Sequence, residues 1–175
     1  MSGHNKWSKI KRQKEHTDAQ KSKVFGKMVR MISTEIRKVA GNANSPGVRA
    51  AIEKARAANV PNENIERAIK KASEPGQVLE SLQYEAYGPG GCAIIIEALT
   101  SNHNKATQEV KHILSEHGLI LAGIGSATWA FEKSVGGWTP KTTIALSDED
   151  GGKLSHLLDN LEENDEVQEV FTNAE

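Results

Sequence analysis

The sequence predicts an α+β chain: a basic three-helix domain followed by a ferredoxin-like β-α-β-β-α-β domain. Apolar residues recur at three- and four-residue spacing as far as about residue 72 and at strand-like spacing beyond it. The charge changes sign at the same place. Residues 1–72 hold 11 Lys and 6 Arg against 6 Asp/Glu, a balance of +11, whereas residues 73–175 hold 5 Lys and no Arg against 17 Asp/Glu, a balance of −12. Between the two, Ser73-Glu74-Pro75-Gly76-Gln77 has the composition of a linker. The domain boundaries that follow are a basic arm at 1–17, a helical domain at 18–72, a linker at 73–79 and an acidic domain at 80–175.

The arm is the most cationic stretch: six of the nine residues from Lys6 to Lys14 are Lys, Arg or the aromatic Trp7, and no carboxylate precedes Glu15. Strongly hydrated, rotamer-rich side chains bury no core, so the arm is expected to order only against an anionic surface. From Asp18 the residues Val24, Phe25, Met28, Val29, Ile32, Ile36 and Val39 form one apolar helical stripe, which Gly41 ends. Its other face carries Lys21, Lys23, Lys27, Arg30, Arg37 and Lys38. Ser45-Pro46 is an N-cap followed by proline at the first helical position, opening a helix to about Asn59 that buries Val48, Ala51, Ile52 and Ala55. After Pro61 a third helix turns Ile65, Ala68 and Ile69 inward and Arg67, Lys70 and Lys71 outward.

The acidic domain begins with the turn Gly88-Pro89-Gly90-Gly91 and the β-branched run Cys92–Leu99. A helix at Lys105–His117 buries Val110, Ile113 and Leu114 and stops at Gly118. Ser126–Glu132, alternating around Trp129 and Phe131, is the second strand, and Thr142–Leu146 the third. Ser147 or Asp148 caps a helix carrying Leu154, Leu157, Leu158 and Leu161, and Val167–Phe171 is the fourth strand. A four-stranded antiparallel sheet with both helices on one face follows from that order, while what covers its other face stays open.

Several chemistries find no support. Gly88-Pro89-Gly90-Gly91 lacks a phosphate-loop lysine and precedes a strand. Gly123-Ile124-Gly125 lacks the third glycine of a dinucleotide fingerprint and reads as a bend. The histidines at 4, 16, 103, 112, 117 and 156 form no ligand set with Cys92, so neither a metal nor another cofactor is expected. Asn102-His103-Asn104-Lys105 reads as ordinary capping, with a backbone anion site as the lesser alternative. Carboxylates Asp148, Glu149, Asp150, Glu162, Glu163, Asp165 and Glu166 read as a solvated face, and no nucleophile has a base, so no enzyme activity is expected. The single Cys92 precludes an internal disulfide and reads as a small buried side chain. With no apolar run near membrane-spanning length, a cytoplasmic monomer without membrane or small-molecule partners is expected.

Long motifs resemble the YebC/PmpR family: Gly3-His4-Asn5-Lys6-Trp7, Ile10-Lys11, Asn59-Val60-Pro61, Asn64–Lys71, Tyr84–Gly91 and Val167-Gln168-Glu169-Val170. The resemblance implies a DNA-binding transcriptional regulator, or a translational activator like the mitochondrial members, with some bacterial members linked to relief of stalled ribosomes. It also implies a third ferredoxin-like domain inserted between the second and third strands of the middle one. Here Phe131-Glu132-Lys133 passes through Ser134–Trp138 directly to Thr139, so a compact two-domain version is expected. The family's Asn-Arg-Thr before the first acidic-domain helix is Asn104-Lys105-Ala106, which keeps the charge and loses the planar fork of Arg.

Residues and resemblance together predict a nucleic-acid-binding regulator acting through residues 1–72. The phosphate contacts expected are Lys6, Lys9, Lys11, Arg12, Lys14, Lys21, Lys23, Lys27, Arg30, Arg67, Lys70 and Lys71. Trp7 either stacks on a base or staples the arm to the helices. A Lys-rich arm without a recognition helix favours structured RNA, the ribosome foremost, over promoter DNA.

Overall fold

The structure, a computed structural model, describes residues 18–72, 74 and 76–175. The helical unit contains α1 (Asp18–Lys38), α2 (Pro46–Ala57) and α3 (Asn62–Ala72). Ile32 and Ile36 of α1, Val48, Ala51 and Ala55 of α2, and Ile65, Ala68 and Ala72 of α3 bury one shared core, joined by Val60. Four of those side chains are methyl groups, which lets the helices approach closely but limits the apolar area each contributes. Ser45 caps α2, its Oγ accepting from the Val48 N–H at 3.3 Å, with Pro46 next in line. Asn59 leaves α2 in the left-handed conformation at φ 59°, and Val60 N–H donates back to the Ala55 carbonyl at 3.0 Å. Past α3, the Arg37 guanidinium donates to the Gln77 carbonyl at 2.7 Å.

The α+β class and the order of a helical unit before a β-α-β unit are as the sequence predicts. The second unit contains β1 (Glu80–Tyr87), β2 (Ala93–Thr100), α4 (His103–Glu116), β3 (Phe131–Ser134), β4 (Gly137–Pro140), α5 (Asp148–Glu163) and β5 (Val167–Thr172). β1, β2 and β5 form one sheet in that order, with β2 and β5 antiparallel in the register Ile94 to Thr172 and Ile96 to Val170. Gly90 and Gly91, at φ 68° and 79°, make the turn from β1 into β2. Asn102 Oδ1 caps α4 at the Lys105 N–H (3.0 Å), and Ser147 Oγ caps α5 at the Asp150 N–H (3.1 Å).

Side chains alternate along β2 and are buried on both faces of the sheet. Cys92, Ile94 and Ile96 pack with Val110 and Leu114 of α4 and Leu154, Leu157 and Leu161 of α5. Ala93 and Ile95 point the other way, against Ala127, Ala130 and Phe131, with Trp138 and Phe171 at the margin. The sheet's second face is therefore covered at its centre by the chain's own 127–138 segment.

This arrangement corrects the expected single four-stranded sheet. The second and third strands lie at 131–134 and 137–140 and pair as a separate hairpin. Ser126–Ala130 is instead a bend and a short 3-10 turn, because the Ala127 and Thr128 N–H groups are taken by a carboxylate rather than by a strand. Within Thr142–Leu146 one residue, Ile144, makes a parallel bridge, to Ala174. β1 was not expected, since Glu80, Gln83 and Glu85 interrupt its apolar pattern.

Candidate nucleic-acid interface

The helical unit distributes its cations by helix position. Residues 18–72 hold 12 Lys/Arg against five Asp/Glu. Arg37 and Lys38, Lys54 and Arg56, and Lys70 and Lys71 occupy the last turns of α1, α2 and α3, where each meets the negative end of its own helix dipole. Three cations are held by acids one turn earlier: Lys38 by Glu35 at 2.7 Å, Arg56 by Glu53 at 2.9 Å and Arg67 by Glu63 at 2.7 Å. Such exposed pairs contribute only a few tenths of a kcal/mol and leave the charges accessible.

Of the expected contacts, Lys21 and Lys23 are exposed on the first turns of α1, and Arg67, Lys70 and Lys71 on α3, while Arg30 is half-buried. Lys27 departs from the expectation: it is 7% exposed and so is not presented to solvent for a phosphate. Burial at that level is the mark of a lysine whose aliphatic stem is packed rather than extended into solvent. Lys6, Trp7, Lys9, Lys11, Arg12 and Lys14 lie outside the described residues. At about 1.5 Å of rise per residue, the cations of α1 from Lys21 to Lys38 are spread along about 25 Å of helix, a track and not a pocket. Arg49, exposed on α2 and without an acidic partner among the described residues, belongs with this set; its lone position in an alanine-rich helix is why the pattern of clustered cations did not single it out.

In the second unit Lys105 sits 3.6 Å from Glu109 and 3.7 Å from Glu166, so its ammonium is engaged by carboxylates, which fits the capping reading of Asn102–Lys105. Its most organised polar centre is Glu85, which is 3% exposed. Glu85 accepts from the N–H groups of Gly125 (2.8 Å), Ala127 (2.7 Å) and Thr128 (3.0 Å). Burial alone raises the carboxyl pKa, yet these three N–H groups and the Gln83 amide outweigh it and hold the pKa below its ordinary value. Sequence reasoning missed this centre because acid and donors lie about 40 residues apart; the signal present was one acid facing the small, uncharged run Gly123–Ala127. No helix among the described residues is long and apolar enough to cross a membrane.

Comparisons with known proteins agree with this layout. The TACO1/YebC protein N-terminal domain matches residues 5–75. The TACO1/YebC second and third domain matches in two pieces, 79–136 and 134–174, which meet at the turn between β3 and β4. A probable transcriptional regulatory protein of Thermoanaerobacter pseudethanolicus is 37% identical over 239 aligned positions, covering 100% of this chain and 97% of the relative. Against 175 residues, at least 64 of those positions have no counterpart here. A probable transcriptional regulatory protein of Thermotoga maritima is 48% identical over 136 positions, covering 76% of this chain and 54% of the relative. The crystal structure of a conserved hypothetical protein from Aquifex aeolicus superposes with a TM-score of 0.76 at 31% identity, over 93% of this chain and 95% of that one. On these matches the chain belongs to the TACO1/YebC family.

Proposed function

We propose that the chain regulates gene expression by binding nucleic acid through residues 1–72, with structured RNA, the ribosome foremost, as its direct target in the cytoplasm. The observation that carries this reading is the balance of +11 on residues 1–72, with Lys21, Arg49, Lys70 and Lys71 exposed and without acidic partners among the described residues. Lysine is a compact point charge suited to phosphate, and the spread of cations along α1 suits a backbone track. The names of the relatives support the regulatory part. The acidic unit then positions the protein or contacts other proteins, since its charge repels phosphate. Catalysis is no part of this reading, and Ala at Asp148, Glu149 and Asp150 is expected to leave binding intact.

Duplex DNA is the second reading, favoured by those same names and by the four-residue connection Ala58–Pro61 that joins α2 to α3 as in a helix-turn-helix. Against it, α3 carries a single Arg, Arg67, the residue type suited to bidentate reading of guanine. The test compares co-sedimentation with ribosomes and binding to duplex DNA across a salt series. If about six phosphates are neutralised, the log–log salt slope for RNA is near −4 to −5. A salt-independent affinity, or a preference of about 10³-fold for one duplex sequence with no ribosome association, reverses the ranking.

A further inference from the structure

The linker that leaves the helical unit is fastened to it by one side chain. Arg37 stands in the last turn of α1, and its Nη1 donates to the Gln77 carbonyl at 2.7 Å, across 40 positions of sequence. The backbone at Gly76 comes so near that a Cβ there would stand 2.5 Å from Arg37 Nη2 and 3.2 Å from Cζ, so only glycine leaves room for the guanidinium. A glycine of the linker and an arginine of α1 thus make one clasp.

The acceptor in this clasp is neutral. Glu35, the acid nearest in sequence, pairs with Lys38 at 2.7 Å, and Arg37 makes no ion pair among the described residues. A guanidinium is a planar fork that matches the paired oxygens of a phosphate, and its bonds to an anionic acceptor are roughly twice as strong as those to a neutral one. With Nη1 on Gln77 and Nη2 against Gly76, that edge of the fork is closed to a phosphate while the clasp holds. Gln77 is exposed, so its carbonyl passes to water when released and is not left unsatisfied. Between a linker carbonyl that water can replace and a phosphate, the phosphate is the stronger partner.

We propose that Arg37 is a shared contact: it clasps the linker at Gln77 while the helical unit is empty and turns to a backbone phosphate when RNA is bound, which frees the linker. The inference rests on the nucleic-acid reading of residues 1–72 and adds to it a contact residue and a regulated tether. The coupling is reciprocal, so opening the clasp strengthens binding as binding opens the clasp. The test uses the full chain, an RNA hairpin and NMR. The Val78 amide belongs to the peptide whose carbonyl accepts from Arg37, so its nitrogen shift reports the clasp. Arg37→Gln is expected to move that resonance and to weaken hairpin binding, and adding the hairpin to the wild-type chain is expected to move it in the same direction. Gly76→Ala, which displaces the guanidinium and leaves every charge in place, is expected to tighten hairpin binding about threefold to tenfold, the net contribution of one hydrogen bond. In an Arg37→Gln background Gly76→Ala is expected to leave affinity unchanged, which separates the clasp from any other effect of the added methyl group. Hairpin binding that leaves Val78 in place overturns the proposal. So does a Gly76→Ala chain that binds with wild-type affinity, or one that gains as much without Arg37. A wild-type chain that does not bind the hairpin at all overturns the RNA reading, and release of the clasp by RNA with it.

Discussion

Among the buried polar residues described, Glu85 alone is a carboxylate, and it replaces ladder partners for three backbone donors at once. Glu85→Gln keeps the shape but sets an amide N–H₂ against those donors, so a loss of about 1–3 kcal/mol is expected in urea unfolding. Because the folded pKa is depressed, the stabilisation is complete above the unfolded carboxylate value of about 4.3 and is lost as pH falls through the folded value. The gap between wild type and Glu85→Gln is therefore expected to be constant near neutrality and to close in acid; a gap that widens in acid contradicts the assignment. His117 behaves in the same sense for a different reason. Burial, and then the His156 ring at 5.6 Å, lower its pKa against the opposing pull of Glu116, and Nε2 lies 2.9 Å from the Asn160 amide. The neutral ring is the stable one, so its contribution is complete above about pH 6.5 and falls as pH drops through the lowered folded value. Denaturation midpoints of His117→Gln are expected to lack that step.

At the scale of elements, the hairpin of β3 and β4 turns in two residues, Val135 and Gly136, at the place where the two pieces of the family match meet. An exposed turn tolerates lengthening at small entropic cost. Four Gly/Ser residues inserted between Val135 and Gly136 are expected to change unfolding free energy by less than about 1 kcal/mol, measured in urea. A larger loss means that the turn itself specifies the hairpin. The helices were legible in the sequence because their signals are local: Ser45-Pro46, Ser147, Asn102 and Gly118 cap or stop helices within a few residues of where they were read. The strands were less so. Trp129 and Phe131 alternate as a strand would, yet Trp129 is exposed while Phe131 is buried, because distant Glu85 bends the backbone between Gly123 and Thr128. The cations of the candidate interface were legible as composition, but the burial of Lys27 and the exposure of Arg49 follow from tertiary packing, which no local pattern of charge encodes.

For the whole molecule the two charge balances predict a division of labour. Lys70→Glu with Lys71→Glu is expected to lower RNA affinity and reduce the salt slope by about 1–2 units, read by titration at several salt concentrations. The same reversal at Lys111 of the acidic unit is expected to leave the slope unchanged. The pairing of β2 with β5 has a consequence for biosynthesis. Ile94 faces Thr172 across 78 positions of sequence, whereas the three helices of the first unit close their shared core within residues 18–72. Local contacts form early and distant ones await their partner. During translation the cationic unit is therefore competent to fold while β2 still has one open edge and waits for the ribosome to deliver β5.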